Sequence, residues 1–172
     1  MIKYIHDTKI DAKLDKKIIQ LLSMCFVKEP FLKYQRFVKE MPQHRWYIED
    51  ENKMIAHIAV HEKIMNTKTA EFHFGGIAEV AVHQDFRGRG YVKKILIQIH
   101  KWLKVQEYPF VMLFGEKEIY ASSGYSPVQN EIKYFKNETN KWTIEINRHA
   151  LKSVLGSNPW PEGMIDIKGP MF

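Results

Sequence analysis

Cysteine is almost missing. A single residue, Cys25, among 172 excludes an internal disulfide and a cysteine-rich zinc cluster. It sits in the apolar run LLSMCF, where a buried, inert thiol is expected. Long apolar runs are missing too: none approaches ~18 residues, the length a membrane-spanning helix needs. The opening MIKYIHDTKID lacks the apolar stretch of a signal peptide. Repeats and low-complexity tracts are absent, and with 9 glycines and 7 prolines no linker stands out. These absences lead to the expectation of a soluble, cytoplasmic protein with one domain over residues 1–172.

What is present is ordinary globular material, 45% hydrophobic and 27% charged, in a chain long enough to bury about 70% of its unfolded surface. Lys and Arg outnumber Asp and Glu by 26 to 20, a net charge of +6. A basic balance suits an anionic partner, which includes nucleic acid, a membrane surface or a phosphorylated cofactor. No RNA-binding motif is visible and the lysines are spread along the chain, so neither a nucleic-acid nor a membrane partner is expected.

Apolar periodicity lays out the elements. A short strand opens the chain at 3–6. Asp11 can cap a helix over 12–27 with Leu14, Ile18, Leu21, Leu22 and Cys25 on one face. Phe31, Tyr34, Phe37 and Val38 predict a second helix closed near Pro42. Strands follow at 45–49, 54–64 and 71–83, the last with a bend or bulge at Gly75-Gly76. A helix with the face Val92, Ile95, Leu96, Ile99, Leu103 comes next, then a buried strand at 109–114, a short helix at 118–123 stopped by Gly124, and a strand at 141–146. The segment 158–172 mixes Pro and Gly with Trp160, Met164, Ile165, Ile167 and Phe172, and is expected to be an irregular but packed tail. The order predicts a mixed α/β fold: a mostly antiparallel sheet with a parallel central strand pair, flanked by helices. His57, His61, His73 and His83 fall on or beside the central strands and are expected to be solvated; His100 is expected to be exposed. No carboxylate completes a metal site with them, and no metal is expected.

The most informative stretch is VAVHQDFRGRGYV, residues 80–92. Gly88 and Gly90 allow a tight turn and a close approach of backbone N–H groups to a ligand. The helix that starts there adds positive potential, and Arg87 and Arg89 add charge. Together these form an anion site suited to a pyrophosphate. A Walker loop, GxxxxGK[ST], is missing. A dinucleotide fingerprint needs a third Gly, and position 93 is Lys. The remaining pattern, R/Q-x-x-G-x-G/A after a strand, fits residues 87–92 except at Val92.

That loop, the strand EVAV before it and the segment EIYASSGY at 118–125 resemble the GNAT superfamily of acyl-CoA N-acyltransferases. The likeness spans residues 45–125. It implies that Val80, Ala81, Val82, Arg87, Gly88, Arg89, Gly90, Tyr91 and Val92 bind acetyl-CoA as acyl donor: the strand pairs with pantetheine, a backbone N–H near Val82 faces the thioester oxygen, and the loop takes the pyrophosphate. It implies transfer of the acetyl group to a primary amine by direct attack in a ternary complex. Glu79, a carboxylate in a largely apolar strand, is assigned as general base acting through a water. Tyr120 falls where the family places the tyrosine that protonates the CoA thiolate. Val92 stands where Gly or Ala is common.

The stretch MIAHIAVHEKIM…GGIAEVAV and the ending PWPEGMIDIKGPMF loosely resemble the aminoglycoside 2′-N-acetyltransferase branch of that superfamily. The comparison implies an acceptor pocket lined by Trp160, Glu162, Asp166 and the Phe172 carboxylate, taking an aminoglycoside-like or other small amine, or a peptidyl amine. The alternative is a non-catalytic acyl-CoA-binding regulator, with Glu79 structural. An exposed late strand offers a way to pair two chains into a homodimer.

Overall fold

A computed structural model describes all 172 residues. The strands are β1 (Ile2–His6), β2 (His44–Asp50), β3 (Lys53–Asn66), β4 (Glu71–Val82), β5 (Phe110–Phe114), β6 (Ser126–Pro127), β7 (Ile132–Lys136), β8 (Lys141–Glu145), β9 (Ala150–Val154) and β10 (Ile165–Asp166). The helices are α1 (Ala12–Cys25), α2 (Tyr91–Val105) and α3 (Lys117–Tyr120). The hydrogen-bonded strand order is β6-β9-β5-β4-β3-β10-β7-β8, with β2 joined to β3 and β1 to β2. The central strand–helix–strand unit is β4, α2 and β5, whose two strands are neighbours in that order. The expected mixed α/β fold is the one observed.

The chain divides into two compact units. The first comprises Met1–His61 and Ile77–Ile99; the second comprises Glu62–Gly76 and His100–Phe172. In the first unit α1 starts where Asp11 accepts a hydrogen bond from the Leu14 N–H at 2.8 Å, which satisfies one of the helix's orphan donors. Ile18, Leu21 and Leu22 then recur on one face and pack with Leu32, Tyr47, Met54 and Ala81. Cys25 is half-buried, and its thiol donates to the Val82 carbonyl at 3.4 Å.

The second predicted helix does not form. Pro30–Lys33 makes a single 3₁₀ turn, and Phe31 and Tyr34 face solvent at 61% and 84% exposure. The backbone beyond it has other partners. The Arg36 carbonyl accepts from Arg45, the Phe37 carbonyl accepts from Gln35, and the Val38 N–H donates to Glu79. In a helix these groups would instead bond the backbone of Glu40, Met41 and Tyr34, so the observed bonds displace the helical ones.

In the second unit β5 pairs antiparallel with β9, β9 with β6 and β7 with β8, while β10 runs parallel to β7. Phe74, Phe110, Met112, Ile132, Tyr134, Ile165 and Ile167 form its core, with Trp160, Met171 and Phe172 packed against them. The tail is thus irregular and packed, as its composition predicts, and it contributes the short strand β10. Gly75 and Gly76 serve close approach. A Cβ on Gly75 would lie 2.7 Å from Leu103, and one on Gly76 would lie 2.9 Å from the Phe172 ring. A kink in β4 falls at Glu79, whose φ is +50°.

Candidate active site

The kink at Glu79 is held by a buried polar network within the first unit. Asp7 follows directly on β1, β2 supplies Arg45, β3 supplies His57 and β4 supplies Glu79. Arg45 is fully buried. Its Nε donates to Asp7 Oδ1 at 2.6 Å, its Nη1 donates to Glu79 Oε2 at 2.9 Å, and its Nη2 donates to the Arg36 carbonyl at 2.9 Å. Nη1 also lies 3.1 Å from His57 Nε2. A guanidinium only donates, so His57 Nε2 accepts and its proton sits on Nδ1. Nδ1 then donates to the Glu79 backbone carbonyl at 3.0 Å. Glu79 is therefore gripped at its side chain by Arg45 and at its backbone by His57. This grip stabilises a left-handed conformation that a non-glycine residue adopts at a cost of about 1–3 kcal/mol.

The electrostatics follow from burial and charge count. Burial alone would raise the Asp7 carboxyl, but hydrogen bonds and charge from Arg36 and Arg45 hold it below the usual range. Asp15 also binds Arg36, at 2.8 Å. Asp7 and Asp15 thus already balance Arg36 and Arg45. Glu79 adds a further carboxylate, and its burial pushes it up to about 7 against the pull of Arg45 and the Val38 N–H. A carboxyl with a pKa near 7 is suited to proton transfer at neutral pH. His57 is driven down to about 3 by burial and by the charge of Arg45, so it is neutral.

Beyond Val82 the chain enters the glycine loop. Gly88 and Gly90 have φ of +73° and +72°, and a Cβ on either would meet nothing within 4 Å. The left-handed turns, and not crowding, require glycine there, and the space beside the loop is open for a ligand. Arg87 Nε donates to the Val82 carbonyl at 3.2 Å; Arg89 Nη2 donates to the Asp85 carbonyl at 2.9 Å and its guanidinium lies over the Phe86 ring. α2 begins at Tyr91, and its first-turn N–H groups lack intrahelical acceptors. Val80 and Val82 are half-buried, Ala81 is buried, and Tyr91 and Val92 are half-buried. The loop therefore combines open backbone, a helix start and two tethered arginines, and it fits a pyrophosphate.

In the second unit Tyr120 ends α3. It is buried, its ring lies where a Cβ on Gly115 would sit at 2.7 Å, and burial raises its hydroxyl to about 12. The phenol is protonated at any working pH and is available as a donor. Tyr125 packs edge-on to it and shares a 2.8 Å hydrogen bond with His100 Nε2. Gly124, with φ +86°, stops the helical segment, as its sequence predicts.

Two of the four residues expected to line an acceptor pocket, Trp160 and Glu162, share one cleft. Trp160 and Glu162 line a cleft of about 720 Å³ with Asn130, Glu131 and Lys152. Trp160 Nε1 donates to Asn130 at 2.7 Å, and the Lys152 ammonium lies over its ring. Asp166 is paired with Lys133 at 3.0 Å and accepts from the Lys168 N–H. The Phe172 ring packs on Phe74 and Phe114.

Of the histidines expected to be solvated, His73 is exposed and the others are not. His57, His61 and His83 are buried, not solvated, and His100 is half-buried, pushed down to about 4 by burial and by Lys104. Sequence reasoning missed Asp7, Arg45 and the role of His57. The available signal was Arg45 opening a strand that otherwise reads as apolar: a charge there must find buried partners. No group of three or more His, Cys, Asp or Glu side chains is placed to hold a metal ion, and no helix is long and apolar enough to cross a membrane.

Comparison with known proteins agrees with this geometry. The GNAT acetyltransferase domain family matches residues 8–128, well over half of the chain. The GNAT family N-acetyltransferase YhbS from Escherichia coli, solved in complex with CoA, is 14% identical and superposes with a TM-score of 0.69 over 97% of this chain and 88% of that one. A GNAT family acetyltransferase from Brucella melitensis, solved in complex with acetyl-CoA, is 14% identical with a TM-score of 0.65 over 96% of this chain and 94% of that one. A probable N-acyltransferase from Enterococcus faecalis is 16% identical, TM-score 0.59, over 73% of this chain; the chain spans only 32% of its length. Among curated proteins none matches the chain. The family match covers well over half of the chain, and the chain belongs to the GNAT acetyltransferase family.

Proposed function

We propose that this protein transfers an acetyl group from acetyl-CoA to a primary amine by direct attack in a ternary complex. One observation carries the reading: a buried carboxyl with a pKa near 7, Glu79, is fixed at a strand kink just before the glycine loop of a GNAT chain. Gly88 and Gly90 with the first turn of α2 receive the pyrophosphate, assisted by Arg87 and Arg89. Val80, Ala81 and Val82 pair through backbone with pantetheine. The Val82 N–H, a donor, is the group assigned to the thioester oxygen, where charge grows in the transition state.

The neutral amine attacks the thioester carbon; the C–N bond forms and the C–S bond breaks. The amine proton passes through a water to Glu79, whose carboxylate is 6% exposed and cannot reach a substrate directly. The departing thiolate takes the Tyr120 proton. The acceptor is an aminoglycoside-like or other small amine, or a peptidyl amine. The cleft with Trp160, Glu131 and Glu162 supports a cationic ligand through its two carboxylates. We include a homodimer in this reading. The second reading, an acyl-CoA-binding regulator, is favoured by one observation, the engagement of Glu79 by Arg45.

Calorimetry with acetyl-CoA, followed by turnover against a panel of amines, separates the two. The enzyme reading expects micromolar binding, and turnover lowered about 10²–10⁴-fold in Glu79→Gln with binding intact. Tyr120→Phe should also keep binding and slow thiol release. Binding without turnover on any amine would leave the regulator. Absence of binding would remove both.

A further inference from the structure

The far end of the sheet carries an unusual edge. β8 is the terminal strand of its path, yet Trp142, Ile144 and the following Ile146 lie on one face and are 54%, 52% and 66% exposed. Edge strands are normally blunted by proline, bulges or inward charge, and this one carries none of these on that face. Trp142 meets Phe135 edge-on and the Lys133 ammonium over its ring, so the apolar face is ordered.

The backbone of β8 is equally specified. β7 uses residues 131, 133 and 135 to bond the tail, through Ile165 N–H to the Glu131 carbonyl, Ile167 N–H to the Lys133 carbonyl and Phe135 N–H to the Gly169 carbonyl. Its alternate residues Ile132, Tyr134 and Lys136 therefore face β8, opposite Glu145, Thr143 and Lys141. Backbone groups alternate between the two edges of a strand. Hence Trp142 and Ile144 direct their N–H and C=O groups to the free edge.

We propose that β8 pairs antiparallel with β8 of a second copy about a two-fold axis at Thr143. Of the registers open to these outward groups, only this one sets Lys141 opposite Glu145 of the second copy, and the reverse. Trp142 then exchanges both backbone bonds with Ile144 of the second copy. Registers centred on Trp142 or Ile144 leave each Lys141 and Glu145 facing uncharged residues. The pairing also answers a local defect: within the hairpin Lys141 sits opposite Lys136, a like-charge pair. Glu145, which accepts from the Tyr134 hydroxyl at 2.9 Å, brings a counter-charge to the other flank of that lysine. A single short strand pair buries less than the ~1,200 Å² at the lower end of stable interfaces, so the dimer is weak and concentration-dependent. This deepens the homodimer reading above and leaves the catalytic one untouched.

Sedimentation of the full chain from micromolar to sub-millimolar concentration tests it. The mass should rise from monomer towards dimer. Lys141→Glu should weaken association about tenfold, and Lys141→Glu with Glu145→Lys should restore it. In a Cys25→Ser background, Thr143→Cys should give a disulfide-linked dimer on mild oxidation, because facing residues in a non-hydrogen-bonded pair lie about 4.5 Å apart at Cα. Lys141→Cys should not. A chain that stays monomeric throughout overturns both the strand pairing and the homodimer. A dimer that is indifferent to the charge swap and is not cross-linked in the Thr143→Cys variant keeps the homodimer and overturns this face.

Discussion

Arg45 serves two carboxylates, a histidine and a backbone carbonyl with one guanidinium, and that concentration of partners makes it the residue whose loss the first unit should feel most. Removing one partner of a buried ion pair costs about 3–5 kcal/mol, because the others are left buried and uncompensated. Arg45→Ala is expected to lose that much in urea unfolding. Arg45→Lys should recover only part, since an ammonium cannot copy the planar fork that reaches Asp7 and Glu79 together. Glu79 makes a separate prediction in catalysis. If its carboxyl, with a pKa of about 7, takes the amine proton, kcat/KM should rise as pH passes that value, and this limb should vanish in Glu79→Gln. A limb unchanged in the variant would assign the ionisation elsewhere.

At the scale of the element, two pairs of glycines behave differently for physical reasons the structure separates. Gly75 and Gly76 lie in β4 under Leu103 and the Phe172 ring. Alanine there overpacks the core, and each substitution is expected to cost about 1–3 kcal/mol. Gly88 and Gly90 lie in open space with positive φ. Alanine at either should cost less stability, about 1 kcal/mol of backbone strain, yet should weaken acetyl-CoA binding by distorting the loop. Thermal unfolding and calorimetry on the same four variants check both halves. A fully stable Gly75→Ala would show that Leu103 yields freely. The start of α1 offers a smaller test: Asp11→Ala should cost about 1 kcal/mol by removing the bond to the Leu14 N–H.

At the scale of the whole molecule, buried titratable groups set how stability depends on pH. His57 and His100 are lowered to about 3 and about 4, so the unfolded chain binds their protons first. Stability from them is present above about 6.5 and is lost as pH falls through the folded values. Glu79 works the other way. Its pKa is raised from 4.5 to about 7, so the folded state holds a proton that the unfolded state has released, and stability falls as pH rises across that window. Glu79→Gln should therefore show a steeper rise in unfolding free energy between about 4.5 and 7, by up to ~1.4 kcal/mol per pH unit. An unchanged slope would mean that Glu79 is ionised in the folded protein throughout. The comparison reads the carboxyl without any assay of activity.

Local chemistry in the sequence determined α1 and its Asp11 cap, the glycine loop with the helix it starts, the αL stop at Gly124 and the apolar runs of β2 to β5, because each depends on residues a few positions apart. Those features were enough to point to an acyl-CoA-binding fold before any coordinates. Tertiary structure alone decided the rest. Residues 31–42 carry a helical pattern, but Arg45 and Glu79 take backbone groups of Arg36 and Val38, and bonds from distant elements outweigh a weak local preference. The short strands β6, β7, β9 and β10 lack a run long enough to show a period, and exist through their pairing. The kink at Glu79 is set by a buried network, and packing against Leu103 and the Phe172 ring claims Gly75 and Gly76. That network joins positions 7, 36, 45, 57 and 79, which only the folding of the first unit brings within hydrogen-bond reach.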